Sequence, residues 1–145
     1  MAGWLDNIFD RGAAAAAKAL AQFAEARQAV LAQNIANIDT PYYKVRDLPV
    51  AEFQAMLRRA FEESHATGGP LRLKNTPHIK VAPDGRLEFQ TVERRGANIL
   101  FHDQGNRSIE QEMSEAVKNT LLHRLAIEVL RKQNETLEAA IRGRL

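Results

Sequence analysis

The chain has 145 residues, with 20 Lys plus Arg against 18 Asp plus Glu, a formal net charge of +2 and no cysteine. So small a surplus excludes a strong electrostatic claim on nucleic acid or anionic lipid, and the missing cysteines exclude disulfides and thiol chemistry while leaving the redox compartment open. No apolar run approaches the roughly 18 residues of a membrane-spanning helix. Met1 to Asp10, with Asp6, Asp10 and no basic residue, does not fit a secretory signal, in which positive charge precedes the apolar run.

Trp4, Leu5, Ile8 and Phe9 form an apolar cluster that either lengthens the packed face of the helix behind it or contacts an adjacent subunit. From about Asp10 to Ile38 the sequence predicts one long helix. Ala13 to Ala17 have high helix propensity, and Leu20, Phe23, Ala24, Val30, Leu31, Ile35 and Ile38 form an apolar stripe. Lys18, Gln22, Glu25, Gln28 and Gln33 mark its outer face. Asn34 and Asn37, three apart, share one face and are expected to fix register between packed helices, since a buried amide favours one alignment. Pro41 disfavours helical backbone at Thr40, so the helix is expected to stop near Asp39 and the chain to leave extended.

A second, shorter helix follows Asp47-Leu48-Pro49, with Phe53, Met56, Leu57 and Ala60 on one side, and Gly68-Gly69-Pro70 stops it. Short extended candidates follow at Leu71 to Leu73, Ile79 to Ala82 and Leu87 to Val92, the last two joined by Pro83-Asp84-Gly85 as a tight turn. In this segment Arg72, Lys74, Lys80, Arg86, Arg94 and Arg95 outnumber Asp84, Glu88 and Glu93, as the solvated face of a small sheet or a contact for an acidic partner.

Gly105-Asn106 closes the middle. Ser108 and Gln111 have capping-box spacing, which predicts a last helix from Ile109 to about Arg142. Ile109, Met113, Ala116, Thr120, His123, Ile127, Leu130, Asn134, Leu137 and Ile141 recur at alternating four- and three-residue steps, a coiled-coil seam widened by Val117, Leu121, Leu125 and Val129. At about 1.5 Å per residue this helix is roughly 50 Å long, a rod dimension. The pattern as a whole predicts a mainly α chain. Long N- and C-terminal helices pair as an antiparallel coiled-coil-like bundle, with a short extra helix and a small β-hairpin-containing middle. The division is 1–40, 41–105 and 106–145 within one assembly unit, and full order at the ends is expected to draw on neighbouring subunits.

Reaction chemistry finds no foothold. His65, His78, His102 and His123 show no helical ligand-pair spacing, so no metal and no cofactor is expected. Ser64 and Ser108 stand in no nucleophile motif, and the glycines form no phosphate loop. His102-Asp103 reads as a loop polar pair. Nucleic acid would want a denser basic stripe with stacking aromatics, and no small-molecule substrate is indicated.

Asn34-Ile35-Ala36-Asn37 with Thr40-Pro41 and Tyr43-Lys44, near the end of an amphipathic N-terminal helix, resembles the signature of the bacterial flagellar axial proteins, the rod, hook and hook-associated subunits. Short length, Arg46-Asp47, Thr76-Pro77-His78-Ile79, Gly105-Asn106 and the ending Ala140-Ile141-Arg142-Gly143 are similar to the proximal-rod branch of that family. The resemblance implies a non-enzymatic subunit whose terminal helices pack together and against other copies around an export channel, in an axle that transmits torque. It also implies export unfolded through the flagellar type III apparatus without a cleaved signal, and assembly in the periplasm. The implied neighbours are FlgC-type rod proteins, the adaptor FliE, the membrane ring and the export gate. The family usually has Gly after Pro41 where this chain has Tyr42, and extended backbone through Tyr42 is expected. The alternative from another class is a soluble helical adaptor or regulator that dimerises through the C-terminal seam.

Overall fold

A computed structural model describes residues 12–94 and 105–143, with the side chains of the last helix described from residue 109. Trp4, Leu5, Ile8, Phe9, Asp10, Arg95 and His102-Asp103 lie outside the described residues. The elements run α1 (Ala13–Ala36), β1 (Arg46–Asp47), α2 (Val50–Thr67), β2 (Ile79–Val81), β3 (Leu87–Phe89), β4 (Val92–Glu93) and α3 (Gly105–Ile141). The chain is mainly α, and its terminal helices α1 and α3 pack along each other in antiparallel sense: Asn34 meets Glu112, and Ala24 meets Asn119.

Two faces of α1 do different work. Ala19 and Phe23 are buried against Leu48, Phe53, Met56, Ile79 and Leu87, so the apolar core lies between α1, α2 and the hairpin. Phe23 stacks on Phe53 at 4.2 Å between ring centroids, and Phe89 stands edge-on to both, an aromatic triad that locks the middle segment to the N-terminal helix. The other face, Ala17, Ala24, Arg27, Leu31 and Asn34, is also buried, at spacings of three, four and seven that trace a helix-pairing stripe.

Pro49 precedes α2, where its missing N–H and fixed φ suit a helix start, and Gly68 ends it in the left-handed region at φ 64°. The Pro83-Asp84-Gly85 turn is present. Gly85 adopts φ 80°, its N–H donates to Ala82 O at 2.9 Å, and β2 pairs antiparallel with β3 in the register Ile79↔Phe89, Lys80↔Glu88 and Val81↔Leu87.

Four sequence expectations need correction. Leu71 to Leu73 form no strand, although Leu71 is buried. Leu87 to Val92 is two strands, and β4 leaves the hairpin to pair antiparallel with β1, Asp47 opposite Val92. A two-residue strand has too few positions to show an alternating pattern. The last helix includes Gly105, so Ser108 and Gln111 fall within it and do not mark its start. The first helix ends at Ala36, with the Asn37 N–H still bonded to Gln33 O and Asn34 O, a tightened last turn that stops short of Asp39.

Candidate functional site: the polar corner between the terminal helices

Where α1, β1, β4 and α3 meet, the contact is ionic. The Arg27 guanidinium, on the α3-facing stripe of α1, donates twice to the Asp47 carboxyl at 2.8 Å and once to Glu115 Oε2 at 2.9 Å. Arg94, just past β4, donates to Asp47 Oδ2 at 2.7 Å and to Glu112 on α3. Lys118 adds a donor to Glu115 from the solvent side. Asp47 therefore sits between two guanidiniums, with its own Oδ1 also accepting from the Leu48 N–H.

Burial pushes the Asp47 carboxyl up, but hydrogen bonds from Arg27 and Arg94 outweigh it and hold that carboxyl below the usual range. Glu115 is held low as well, first by Lys118 and, against some burial, by Arg27. The Arg27 guanidinium is pushed further up, chiefly by its bond to Asp47.

Asn34 is the second half of the corner and is 1% exposed. Its amide nitrogen donates to Arg46 O at 2.7 Å and to Glu112 Oε2 at 3.0 Å. Its oxygen accepts from the Arg46 N–H and the Tyr43 hydroxyl, both at 3.2 Å. Bonding both backbone groups of Arg46, the side chain extends the β1 ladder onto a helix, and through Glu112 it fixes where α3 lies along α1. Asn37 does much less: its amide reaches back to Gln33 O, and its oxygen takes a long bond from Thr40 at the surface. Two turns along α3 from Glu112, Asn119 donates to Ala24 O at 2.7 Å and Gln28 Oε1 at 2.9 Å, a second amide tie between the helices. No group of three or more metal-ligating side chains is present among the described residues.

No family model matches the chain. It is similar to a flagellar basal body rod protein FlgB of Aquifex aeolicus (strain VF5), 33% identical over 122 residues that cover 81% of this chain and 83% of that one. The chain belongs to the FlgB family of flagellar basal body rod proteins. The FlgB of Proteus mirabilis (strain HI4320) is 28% identical over 79% of this chain and 82% of its own length. That of Salmonella typhimurium (strain LT2) is 29% identical over 81% and 83%. As a member of the FlgB family, the chain is a structural component of the flagellar basal body rod.

Within this FlgB-family chain the signature Asn34, Ile35, Ala36, Asn37, Thr40, Pro41, Tyr43 and Lys44 spans the end of α1 and the lead into β1. Asn34 and Tyr43 meet in the corner, Lys44 pairs with Glu93 at the surface, and Ala36, Thr40 and Pro41 are exposed. Tyr42 corrects the expectation of extended backbone. It adopts φ 62° with its ring fully exposed. The Tyr43 N–H donates to Thr40 O at 3.2 Å, closing a turn with Pro41 second and Tyr42 third, and a positive φ at the third position is the mark of a type II turn. The turn type wins over the residue's own preference. Tyr42→Gly is expected to be more stable than Tyr42→Ala by about 1 kcal/mol in urea unfolding of the isolated chain, because only Gly removes the left-handed strain; equal stability would show no strain there.

On α3, the face turned toward α1 is Glu112, Asn119 and Ala126, all buried, with Ala116, His123 and Leu130 half-buried. The seam read from the sequence lies partly on that face. Ile109, Ala116, Thr120, His123 and Leu130 are half-buried, whereas Met113, Ile127, Asn134, Leu137 and Ile141 are exposed. Sequence reading missed Arg27, Asp47, Arg94, Glu112 and Asn119. Their signal was polar residues at helix-pairing intervals, Arg27 and Asn34 on α1 and Glu112 and Asn119 on α3, seven apart in each case.

Proposed function

We propose that the chain builds the proximal axle of the flagellum as a non-enzymatic subunit that assembles with other copies of itself through its terminal helices, around an export channel and transmitting torque by packing. FlgC-type rod proteins, the adaptor FliE, the membrane ring and the export gate are its proposed neighbours. Export without a cleaved signal and assembly in the periplasm complete the reading. Residues 1–40 and 106–145 serve as axial helices and 41–105 as the middle segment. The signature and the exposed seam residues Met113, Ile127, Leu137 and Ile141 contribute to packing between subunits.

One observation carries this reading: a 37-residue helix, about 55 Å long, tied to α1 at a rigid polar corner, leaves large apolar side chains uncovered along its length. Such a unit suits repeated lateral packing. Deleting the gene in its own host is expected to abolish swimming and to leave basal bodies without a complete rod, both restored by the wild-type gene. Swimming of the deletion strain with intact rods would contradict the proposal.

A further inference from the structure

Helix α3 is amphipathic in the opposite sense from a helix of a free-standing domain. Its inward face carries Glu112, Asn119 and Ala126, while Met113, Val117, Leu121 and Leu125, four apart, form an outward ridge of 52, 61, 59 and 57% exposed side chains. A contiguous apolar face on the outside of a soluble chain marks an interaction surface. The receiving shape is present on the same molecule. Between α1 and α3 runs a groove of about 400 Å³ with walls of Ala24, Ala29 and Ala32 on one side and Thr120 and His123 on the other. Asn119 contributes to its lining, and its buried Oδ1 has no hydrogen-bond partner among the described residues. Because the Asn119 nitrogen already donates to two oxygens, the atom left without a partner is an acceptor.

Charge and register agree. Glu25 on the groove rim and Arg124 on the ridge are both exposed, and neither has an ion-pair or hydrogen-bond partner among the described residues. From Arg124 toward the N-terminus, Leu121 is three residues away and Val117 seven. From Glu25 toward the C-terminus, Ala29 is four away and Ala32 seven. With Arg124 over Glu25, a helix running antiparallel to α1 therefore sets Leu121 over Ala29 and Val117 over Ala32. Large residues enter alanine hollows, and the guanidinium has donors for the Glu25 carboxylate.

We infer that the ridge Met113-Val117-Leu121-Leu125 of one copy seats in the Ala24-Ala29-Ala32 groove of the next, steered by Arg124 against Glu25. The inference rests on the rod-subunit reading and adds the contact and its polarity. Since α1 and α3 are antiparallel, the arriving α3 lies parallel to the resident one, so every copy points the same way. Ridge and groove are different surfaces, and such a contact repeats head-to-tail, into a closed ring or an open helical array according to the rotation between copies, and does not close as a two-fold dimer.

The test is charge reversal in the native host. Glu25→Arg and Arg124→Glu, both at exposed helix positions, are each expected to cut swim-ring expansion at least fivefold with helix content of the purified chain unchanged. The double variant should recover at least half of wild-type expansion. Neutral single variants, or a double variant no better than the worse single, overturn the contact. If the gene deletion itself leaves swimming intact, the rod reading fails, a separate result. In isolated basal bodies, oxidation of the Ala29→Cys/Leu121→Cys variant should give oligomers of this chain beyond the dimer, the chain itself having no native cysteine. Leu121→Cys alone should give no cross-link. A dimer from that single variant, or no ladder from the pair, overturns the head-to-tail arrangement.

Discussion

Asp47→Ala is expected to lower the unfolding free energy of the isolated chain by about 3 to 5 kcal/mol in urea denaturation, the cost of removing one partner from a buried ion pair and leaving the others uncompensated. Asp47 holds two guanidiniums. Its side chain is 12% exposed, that of Arg27 8% and that of Arg94 20%, so water cannot readily replace it. The loss should exceed that from Asp84→Ala, whose pair with Arg86 lies in solvent at the hairpin turn. The same group sets an acid limb. Its carboxyl titrates lower in the folded chain than in the unfolded one, so its contribution is fully present above the ordinary Asp range near about pH 4 and disappears as pH falls through the lower folded value. Wild-type stability should therefore fall through that window, and the Asp47→Ala variant, already without the pair, should show a shallower decline. An equally steep limb in the variant would mean that other carboxyls carry it.

Asn34→Leu is expected to cost about 2 to 4 kcal/mol, although leucine is similar in size and a better helix former. The amide serves four groups at once, and its loss leaves Glu112 and both backbone groups of Arg46 without those bonds. Asn37→Leu, by contrast, should stay within about 0.5 kcal/mol, because that amide bonds only near itself at the surface. Denaturant midpoints of the two variants side by side decide the matter. A similar loss at both positions would mean that the corner depends on helix-end chemistry and not on the Asn34 network. The pair also separates folding from recognition, since two residues of one signature then have unequal structural weight.

Much of this architecture was legible because single residues with strong backbone preferences punctuate it. Pro49 opens α2 and Gly68 closes it, and Pro83-Asp84-Gly85 turns the hairpin where its dihedral preferences demand. The corner was half legible. Asn34 stood out, but the Asp47, Arg94 and Glu112 that complete the corner come from three segments whose convergence depends on β1 pairing with β4, strands two residues long and 46 residues apart in sequence. No local pattern encodes such a pairing.

The C-terminal helix was read with the right period and only part of the right face. Heptad reasoning assigns apolar residues to the partner, which holds when the nearest partner is apolar. Here the nearest partner is the Arg27 and Asn34 face of α1, so Glu112 and Asn119 turn inward and Met113 and Leu121 turn out. Tyr42 departs from expectation for a related reason: the turn that Pro41 and the Thr40 carbonyl impose overrides the residue's own preference.

The most direct measurement is a cryo-microscopy map of the basal body with this chain traced. The chain is expected in the rod, its α3 helices parallel from copy to copy, with Leu121 of one over Ala29 of the next and the Arg27–Asp47–Arg94 corner intact within each. A rod that lacks this chain would contradict the central claim, as would copies related by a two-fold axis through the α3 seam.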